Sequence, residues 1–236
     1  MSLQDQVAII TGATGESGRA IARKFAHAGV RLVLVGTNGE RLNHLAAELA
    51  LPPEKTLMHI ANVHTAEAVH GLATAVDEKF GRVDIVLNLV GGWVGGKTIP
   101  DFESSQTEEM LQQHLWTTWH LAQTFVPKMQ AAGWGRIAVI SSPAATQGAA
   151  NSGPYAIAKA AQDALLMTLA QELRGTNVTV NLLQVRSIDI RPEHDRIRTP
   201  GITAGTTPDE IAAAFLYLCS DEAQSVNGAR IPMFGV

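Results

Sequence analysis

Short apolar runs alternate with segments of helical periodicity over the first part of the chain. The apolar runs are VAIIT, VRLVLVG, KTLMHIA and VDIVLNLV, and the segments between them carry apolar residues at helical spacing, as Ala20, Ile21 and Phe25 do in the first. Runs that are apolar throughout, rather than at every second position, are typical of strands covered on both faces. The alternation therefore predicts an α/β fold, with a doubly wound central parallel sheet and helices on both faces.

The second part of the chain continues the alternation with longer helices. One helix is predicted from about Thr107 to Ala132, and another in the alanine-rich AIAKAAQDALLMTLAQELRG. Apolar strands are predicted at RIAVIS, NVTVNLLQV and ARIPM, and a capping box at Thr207–Glu210 begins a last helix. No repeat, low-complexity tract or linker interrupts the pattern, so residues 1–236 are predicted to form one domain.

Bulk composition narrows the classes of partner. The chain has 236 residues, 46% of them hydrophobic, and a formal net charge of -4. Because it has no basic run, small molecules are expected as partners rather than nucleic acid or a membrane surface. The single cysteine, Cys219, excludes an intrachain disulfide, and the histidines lack metal-site spacing, so no metal is expected. An apolar strand that begins by about Val7 leaves no room for a signal peptide and predicts a cytoplasmic protein.

A glycine-rich turn lies between the first predicted strand and the first predicted helix. This order is typical of the dinucleotide-phosphate site of a Rossmann-type domain. Glycines permit a tight turn and close backbone approach, while the free amides at the start of the helix attract a pyrophosphate. The residues assigned to this site are Gly12, Thr14, Gly15, Glu16, Ser17 and Gly18.

The candidate chemistry lies in the segment SPAATQGAANSGPYAIAK. Tyr155 and Lys159 are four residues apart in a predicted helix and therefore share one face. A lysine ammonium within reach favours the phenolate and lowers the pKa of a tyrosine toward the working range of an acid-base catalyst. Ser142 stands at the end of a predicted strand, where its hydroxyl could hold a carbonyl or alcohol oxygen beside the phenol. An alternative interpretation is a packed tyrosine beside a solvated lysine.

Together, these residues resemble the short-chain dehydrogenase/reductase family over nearly the whole chain. The resemblance implies an NAD(P)-dependent oxidoreductase that interconverts a carbonyl and a secondary alcohol, and a homodimer or homotetramer. Tyr155 would be the acid or base, Ser142 would orient the oxygen, and Lys159 would also hold the nicotinamide ribose. The matching pieces are Thr11–Gly18, Asn88 and Gly91 in NLVG, Ser142, the YxxxK of Tyr155 and Lys159, Val180 and Asn181, and the closing LCSDEAQSVNGARIPMFG.

The resemblance also assigns further cofactor contacts. It implies that Asn62 and Val63 lie against the adenine, that Asn88 and Gly91 border the cofactor, and that the backbone of Ile188 meets the nicotinamide carboxamide. Tyr155 and Lys159 are assigned to the cofactor site as well as to catalysis.

The end of the second predicted strand bears on the choice between NAD and NADP. An acidic residue there would bind the adenine ribose of NAD, whereas a basic one would pair with the extra phosphate of NADP. The chain has neither, and Thr37 and Asn38 could donate hydrogen bonds to a phosphate, which favours NADP slightly. Thr37 could equally cap the following helix.

Three positions depart from the family pattern. The family has glycine where this chain has Glu16, so the glycine-rich turn is a variant, although the length fits the main branch. It has an asparagine, which supports a water near the catalytic lysine, where this chain has His114. This imidazole is a candidate proton relay that would titrate near neutrality, and it could also block the water or simply pack in the helix. The segment at Arg186 lacks three expected residues that hold the nicotinamide.

These departures motivate two further hypotheses. One alternative is a non-catalytic nucleotide-binding or regulatory protein on the same fold. The other is an anionic substrate bound by guanidinium groups, against the simpler alternative of a solvated charged loop. The arginines considered are Arg186, Arg191, Arg196 and Arg198.

Overall fold

Seven parallel strands form one central sheet in the computed structural model, which describes residues 3–191 and 205–234. The strand order is β3-β2-β1-β4-β5-β6-β7, and all six pairings between neighbours are parallel. The strands are β1 Val7–Thr11, β2 Arg31–Gly36, β3 Thr56–Ile60, β4 Ile85–Asn88, β5 Gly135–Ser141, β6 Val178–Val185 and β7 Arg230–Met233. The predicted α/β fold with a doubly wound sheet is confirmed.

Helices connect successive strands. They are α1 Glu16–His27, α2 Gly39–Leu49, α3 Ala66–Phe80, α4 Ser104–Leu111, α5 Thr117–Ala132, α6 Ala144–Gln147, α7 Gly153–Glu172 and α8 Pro208–Cys219. A π-helical turn, Gln112–Trp116, joins α4 to α5, so the single helix predicted from Thr107 to Ala132 is interrupted by a wider turn. The capping box at the start of α8 is present, since the Thr207 hydroxyl and the Glu210 backbone N–H are hydrogen-bonded at 3.2 Å.

Two apolar layers form the core, one on each face of the sheet. In β1, Ala8 and Ile10 pack toward α1, α2 and α8, while Val7 and Ile9 pack toward α3, α5 and α7. Every residue of β1 is buried. Successive side chains of a strand point to opposite faces, so burial on both faces explains why the apolar runs are continuous.

The order of the strands reverses between β1 and β4. Chain connections leave β1 toward β2 and β3 on one side, and β4 toward β5, β6 and β7 on the other. In such sheets a crevice opens at the carboxyl ends of the two strands where the direction changes. Thr11 ends β1 and Asn88 ends β4, and the two residues are paired in the sheet register. This edge therefore organises the candidate site.

The described part of the chain has neither a membrane-spanning helix nor a cluster of metal-ligating side chains. No helix in residues 3–191 and 205–234 has the length and apolar character needed to cross a membrane. Within the same ranges, no three histidine, cysteine, aspartate or glutamate side chains are grouped as metal ligands would be. Cys219 is a buried free thiol, and burial raises its pKa to about 12.

Candidate active site

The glycine-rich turn between β1 and α1 is closely packed. A Cβ atom added to Gly18 would lie 2.4 Å from the carbonyl oxygen of Gly12, and Gly12 itself has a φ of 64° and lies against the backbone of Leu89. Only glycine fits such contacts. The hydroxyl of Ser17, in the first turn of α1, is buried and has no hydrogen-bond partner in the described part of the chain. A buried free hydroxyl at a helix N-terminus suits a pyrophosphate, so the residues present fit a dinucleotide.

An open cleft of about 320 Å³ lies beside this turn. It contains seven of the predicted cofactor residues: Gly12, Thr14, Gly15, Thr37, Asn62, Val63 and Gly91. Sequence reasoning missed other residues of the lining, Val35, Gly36, Ala61, His64, Leu89 and Val90. Five of these are apolar residues or glycine at strand ends, which no residue-type pattern distinguishes from core. His64 could have been predicted as part of the lining, because it directly follows the predicted adenine contacts in the chain.

Asn38, not Thr37, caps α2. The Asn38 side-chain oxygen accepts a hydrogen bond from the backbone N–H of Arg41 at 2.9 Å. The alternative that Thr37 caps the helix is therefore wrong, and Thr37 lines the cleft instead. Asn38 is absent from that lining, and its oxygen is engaged in the cap. Thr37 remains a candidate cofactor contact, while Asn38 has a structural role of its own.

Asn88 holds the end of β4 next to the glycine-rich turn. Its side-chain oxygen accepts hydrogen bonds from the Thr11 hydroxyl at 2.6 Å and from the Val90 backbone at 3.1 Å. The Thr11 hydroxyl in turn accepts from the Leu89 backbone at 3.2 Å. Asn88 is 4% exposed. Asn88 therefore supports the wall of the cleft without lining it. The residues that follow Asn88 in the chain line the cleft.

Ser142 and Tyr155 meet at the end of β5. Ser142 is buried directly after the strand, and Tyr155 lies half-buried in the first turn of α7. Burial raises the pKa of the Tyr155 phenol above its ordinary value, and a hydrogen bond with Ser142 opposes part of that rise. The serine and the phenol thus form the pair that the sequence predicted.

Lys159 lies deeper than the phenol. Its Nζ donates to the carbonyl oxygen of Ile140 at 2.7 Å and to Oε1 of Gln162 at 2.9 Å. Burial lowers its pKa to about 8, although the Asp163 carboxylate opposes the shift. The expected lowering of the Tyr155 pKa by Lys159 is not what the structure gives, because desolvation of the phenol dominates.

His114 lies in the π-helical turn and contacts the catalytic candidates with its ring edge. The ring is 2% exposed and makes an edge-to-face contact with Tyr155, with 5.6 Å between centroids. Its Nε2 donates to the carbonyl of Gly92 at 3.0 Å, because a carbonyl can only accept. Its Nδ1 is buried and without a hydrogen-bond partner among the described residues.

The expectation that His114 titrates near neutrality is wrong. Burial and the positive charge of Lys159 lower its pKa, the contact with Gly92 only partly opposes them, and the result is a pKa of about 3 instead of 6.5. The imidazole is therefore neutral at physiological pH, which argues against an acid-base relay through His114. A Cβ atom at Gly91 would lie 2.1 Å from the ring, so the ring also requires glycine at that position.

This depressed pKa makes the stability of the protein pH-dependent. Below about 6.5 the unfolded chain binds a proton at residue 114, whereas the folded protein does so only near pH 3. Stability is therefore lost as the pH falls through this window, by about 1.4 kcal/mol per unit for this group. The His114→Asn variant lacks this group. When the pH is lowered from 7 to 5, we therefore expect its free energy of unfolding, relative to that of the parent, to rise by about 2 kcal/mol.

Urea unfolding at both pH values measures this shift. His70→Asn, an exposed replacement on α3, controls for the loss of a histidine elsewhere. A stability difference that is the same at pH 7 and pH 5 for His114→Asn would contradict the neutral assignment.

The other predicted residues are more peripheral. Glu16 lies at the start of α1 and lines a second cleft on the surface instead of the cofactor cleft. Ile188 is 41% exposed and forms an isolated bridge with Thr206, so its backbone contact with a carboxamide stays a prediction.

Arg186 and Arg191 give no support to the anionic-substrate hypothesis. Arg191 forms a two-point ion pair with Asp189, with hydrogen bonds of 2.9 and 2.8 Å. Arg186 stacks over the ring of Phe234 at 5.1 Å. Arg196 and Arg198 lie outside the described residues.

A family model described as short chain dehydrogenase matches residues 6–195, most of the chain. The chain belongs to the short-chain dehydrogenase family. The 7alpha-hydroxysteroid dehydrogenase of Escherichia coli (strain K12) is 30% identical over 249 residues, covering 100% of this chain and 95% of its own. A 3-oxoacyl-[acyl-carrier-protein] reductase of Aquifex aeolicus is 30% identical over 246 residues, covering 100% of this chain and 98% of its own.

Solved structures agree with this family. A short chain dehydrogenase from Bacillus anthracis superposes with a TM-score of 0.89 at 29% identity, covering 99% of this chain and 96% of its own. The relatives are named as dehydrogenases and reductases, so this short-chain dehydrogenase is an NAD(P)-dependent oxidoreductase that acts on a small molecule. The alternative of a non-catalytic protein finds no support among them.

Proposed function

We propose that this enzyme interconverts a carbonyl and a secondary alcohol, with Tyr155 as the acid or base. The observation that carries the proposal is the grouping of Ser142, Tyr155 and Lys159 at the carboxyl end of β5, beside the cleft that follows β1 and β4. The Ser142 hydroxyl lies close enough to the phenol to lower its pKa, as two groups that share one substrate oxygen need to be. The bound nicotinamide would supply or accept the hydride.

Each residue has a separate role in this proposal. In the reducing direction, Tyr155 gives its proton to the oxygen of the substrate while that oxygen gains negative charge. Ser142 donates a hydrogen bond to the same oxygen and orients it. Lys159 supplies a positive charge that stabilises the phenolate left behind, since an ammonium nearby favours the ionised form of a phenol. In the oxidising direction the same proton returns to Tyr155.

A panel of ketones and aldehydes with NADPH and NADH tests the reaction class. Turnover of at least one carbonyl compound, with loss of nicotinamide absorbance matched by alcohol product, is the expected result. Nicotinamide fluorescence gives the affinity for each cofactor beforehand. Tight cofactor binding without turnover on any compound of the panel would count against the carbonyl assignment but not against the cofactor site.

We also infer a preference for NADP over NAD. A second cleft, which shares Thr14 with the cofactor cleft, is lined by Arg19, Arg41 and His44. Arg19 is paired with Glu48 at 2.7 Å, whereas Arg41 has no ion-pair partner in residues 3–191 and 205–234. A guanidinium beside a ribose site favours an additional phosphate. Arg41 was not among the residues that the sequence analysis assigned to the cofactor.

Removal of this guanidinium is expected to weaken NADPH selectively. In Arg41→Ala the dissociation constant for NADPH should rise about tenfold, because one hydrogen bond to a charged group contributes about 1.4 kcal/mol or more. The constant for NADH should stay the same. Fluorescence titrations at low and high salt measure both, with Arg23→Ala as the matched control on α1. Equal loss of both cofactors would contradict the preference.

A homodimer or homotetramer is the proposed assembly. Trp116 at the end of the π-helical turn and Trp119 in α5 are 44% and 45% exposed, and their rings contact each other at 6.4 Å between centroids. His120 stacks on Trp116 at 6.1 Å. Exposed aromatic patches of this kind favour protein interfaces. Light scattering that gives the mass of one chain would contradict the assembly.

A further inference from the structure

The π-helical turn presents a backbone carbonyl to side chains of α5 and α7. Within Gln112–Trp116 the hydrogen bonding departs from the α-helical pattern, and the carbonyl oxygen of His114 accepts from two side chains. The Thr118 hydroxyl donates to it at 2.6 Å, and Nε2 of Gln162 donates at 3.1 Å. Turns of this type occur frequently at functional sites. Here the turn provides an acceptor for a side chain of α7.

Gln162 connects this carbonyl directly to the lysine. Its Oε1 accepts from Lys159 Nζ at 2.9 Å, and its Nε2 also donates to the Thr118 hydroxyl at 2.8 Å. Gln162 is 1% exposed. One amide therefore spans the space between the ammonium and the helix that faces it.

The chemistry of the partners fixes the orientation of the amide. An ammonium can only donate, so the oxygen of Gln162 must face Lys159. The hydrogen of the Thr118 hydroxyl is used on the His114 carbonyl, so that hydroxyl can only accept from the amide nitrogen. A flipped amide would place nitrogen against the ammonium and oxygen against a carbonyl. The assignment is thus supported by all three partners.

The same network continues to the cofactor turn. The Thr118 hydroxyl also accepts from Nδ2 of Asn88 at 2.9 Å, and Asn88 accepts from the Thr11 hydroxyl. A row of directed hydrogen bonds therefore joins Lys159 to the end of β1. Buried networks whose members are all satisfied are rigid, so the position of the ammonium is fixed by residues on both halves of the sheet.

We propose that Gln162 is a positioning residue, whose amide holds the ammonium of Lys159 beside Tyr155 and maintains its charge. The proposal rests on the proposed function, because Lys159 acts through the phenol. Gln162 does not contact substrate, and an amide does not exchange protons readily at this site. It acts on Lys159 by accepting a hydrogen bond that the charged ammonium donates more strongly than the neutral amine would.

Other charged and titratable groups also face Lys159. Asp163 on α7 opposes the loss of its charge, and Asp163 is itself bonded to the Ser141 hydroxyl and to Arg230 of β7. His114 and Tyr155 complete the surroundings, and the imidazole is neutral. A substitution at position 162 leaves these groups in place. A change in the pKa of Lys159 in such a variant therefore measures the effect of the Gln162 amide.

Two variants at position 162 should move the lysine in opposite directions. Gln162→Met keeps an unbranched side chain of similar length but removes the strong acceptor, so the pKa of Lys159 should fall from about 8 by roughly one unit. Gln162→Glu keeps an acceptor and adds a negative charge, so that pKa should rise. NMR of the lysine side chains in the free protein measures both, with Lys159 identified by the signal lost in Lys159→Met.

The pH profile of kcat/KM provides the second readout. The part of the profile that depends on the ionisation of Lys159 should move to lower pH in Gln162→Met and to higher pH in Gln162→Glu. Leu166→Ala, one turn further along α7 and in the apolar core, should lower stability without moving either titration. This control separates a positioning role from a general loss of packing.

The outcomes distinguish this inference from the proposed function. Opposite NMR shifts without turnover in any variant or in the parent would support the role of Gln162 toward Lys159 and overturn the reaction class. Turnover with a lysine titration that stays in place in both folded variants would overturn the inference. If one variant fails to fold, as thermal unfolding would show, the other still gives a shift of defined sign.

Discussion

Replacement of Tyr155 by phenylalanine is expected to lower kcat/KM by roughly 10²- to 10⁴-fold, the contribution of a well-placed general acid or base. The phenyl ring fills the same space beside His114, so the ring contact at 5.6 Å and the fold should persist. Only the hydroxyl that exchanges the proton is lost. Affinity for NADPH should therefore change little, since the cofactor cleft is lined by other residues.

The chain contains a matched control for this substitution. Its other tyrosine, Tyr217, is 51% exposed on α8, and Tyr217→Phe should leave turnover and stability unchanged. Initial rates with a substrate from the carbonyl panel, nicotinamide fluorescence and thermal unfolding would be measured for both variants. Residual turnover above about a tenth of the parent in a folded Tyr155→Phe protein would mean that another group exchanges the proton.

The strands and most helices were predictable because local pattern and tertiary environment agree in them. Strand β1 is apolar throughout and is buried throughout, and the capping box at Thr207 forms as its residue types suggest. The π-helical turn was not predictable, because QQHLW is compatible with an ordinary helix. Thr37 and Asn38 are both good capping residues, so the sequence left the actual cap open to within one residue.

The grouping of Ser142, Tyr155 and Lys159 could be predicted from the sequence, whereas the electrostatics of these residues could not. Spacing indicated that Tyr155 and Lys159 share a helix face, whereas the direction of a pKa shift depends on burial by residues far away in the chain. His114 shows this, since its ring is enclosed by Gly91, Gly92 and Tyr155. The sequence did not indicate that Gln162 contacts Lys159, because a glutamine in an alanine-rich helix usually faces solvent.

The glycine-rich turn offers the second large effect, and a paired substitution separates folding from binding. In Gly18→Ala the added Cβ would lie 2.4 Å from the Gly12 oxygen and 2.7 Å from that of Ala13. Both atoms belong to the backbone of the turn, so the turn or α1 must shift. Overpacking of this kind costs about 1–3 kcal/mol, and we expect a lower midpoint of urea unfolding together with loss of measurable cofactor binding.

Gly15→Ala should affect binding alone. Gly15 has φ -75° and ψ 165°, which alanine adopts readily, and its added Cβ would meet nothing closer than 3.5 Å. The unfolding midpoint should therefore stay near that of the parent. Since Gly15 lines the cofactor cleft, the new methyl group enters the space that a pyrophosphate needs, and affinity for both cofactors should fall about tenfold or more.

The comparison of the two variants is informative because the residues lie in one turn. A stable Gly15→Ala protein that binds NADPH as the parent does would show that the phosphates lie elsewhere, and would contradict the assignment of this turn. A Gly18→Ala protein with unchanged stability would show that the turn relaxes more easily than its backbone contacts suggest. Loss of binding in both, with loss of stability in Gly18→Ala only, is the result expected if the cleft beside the turn is the cofactor site.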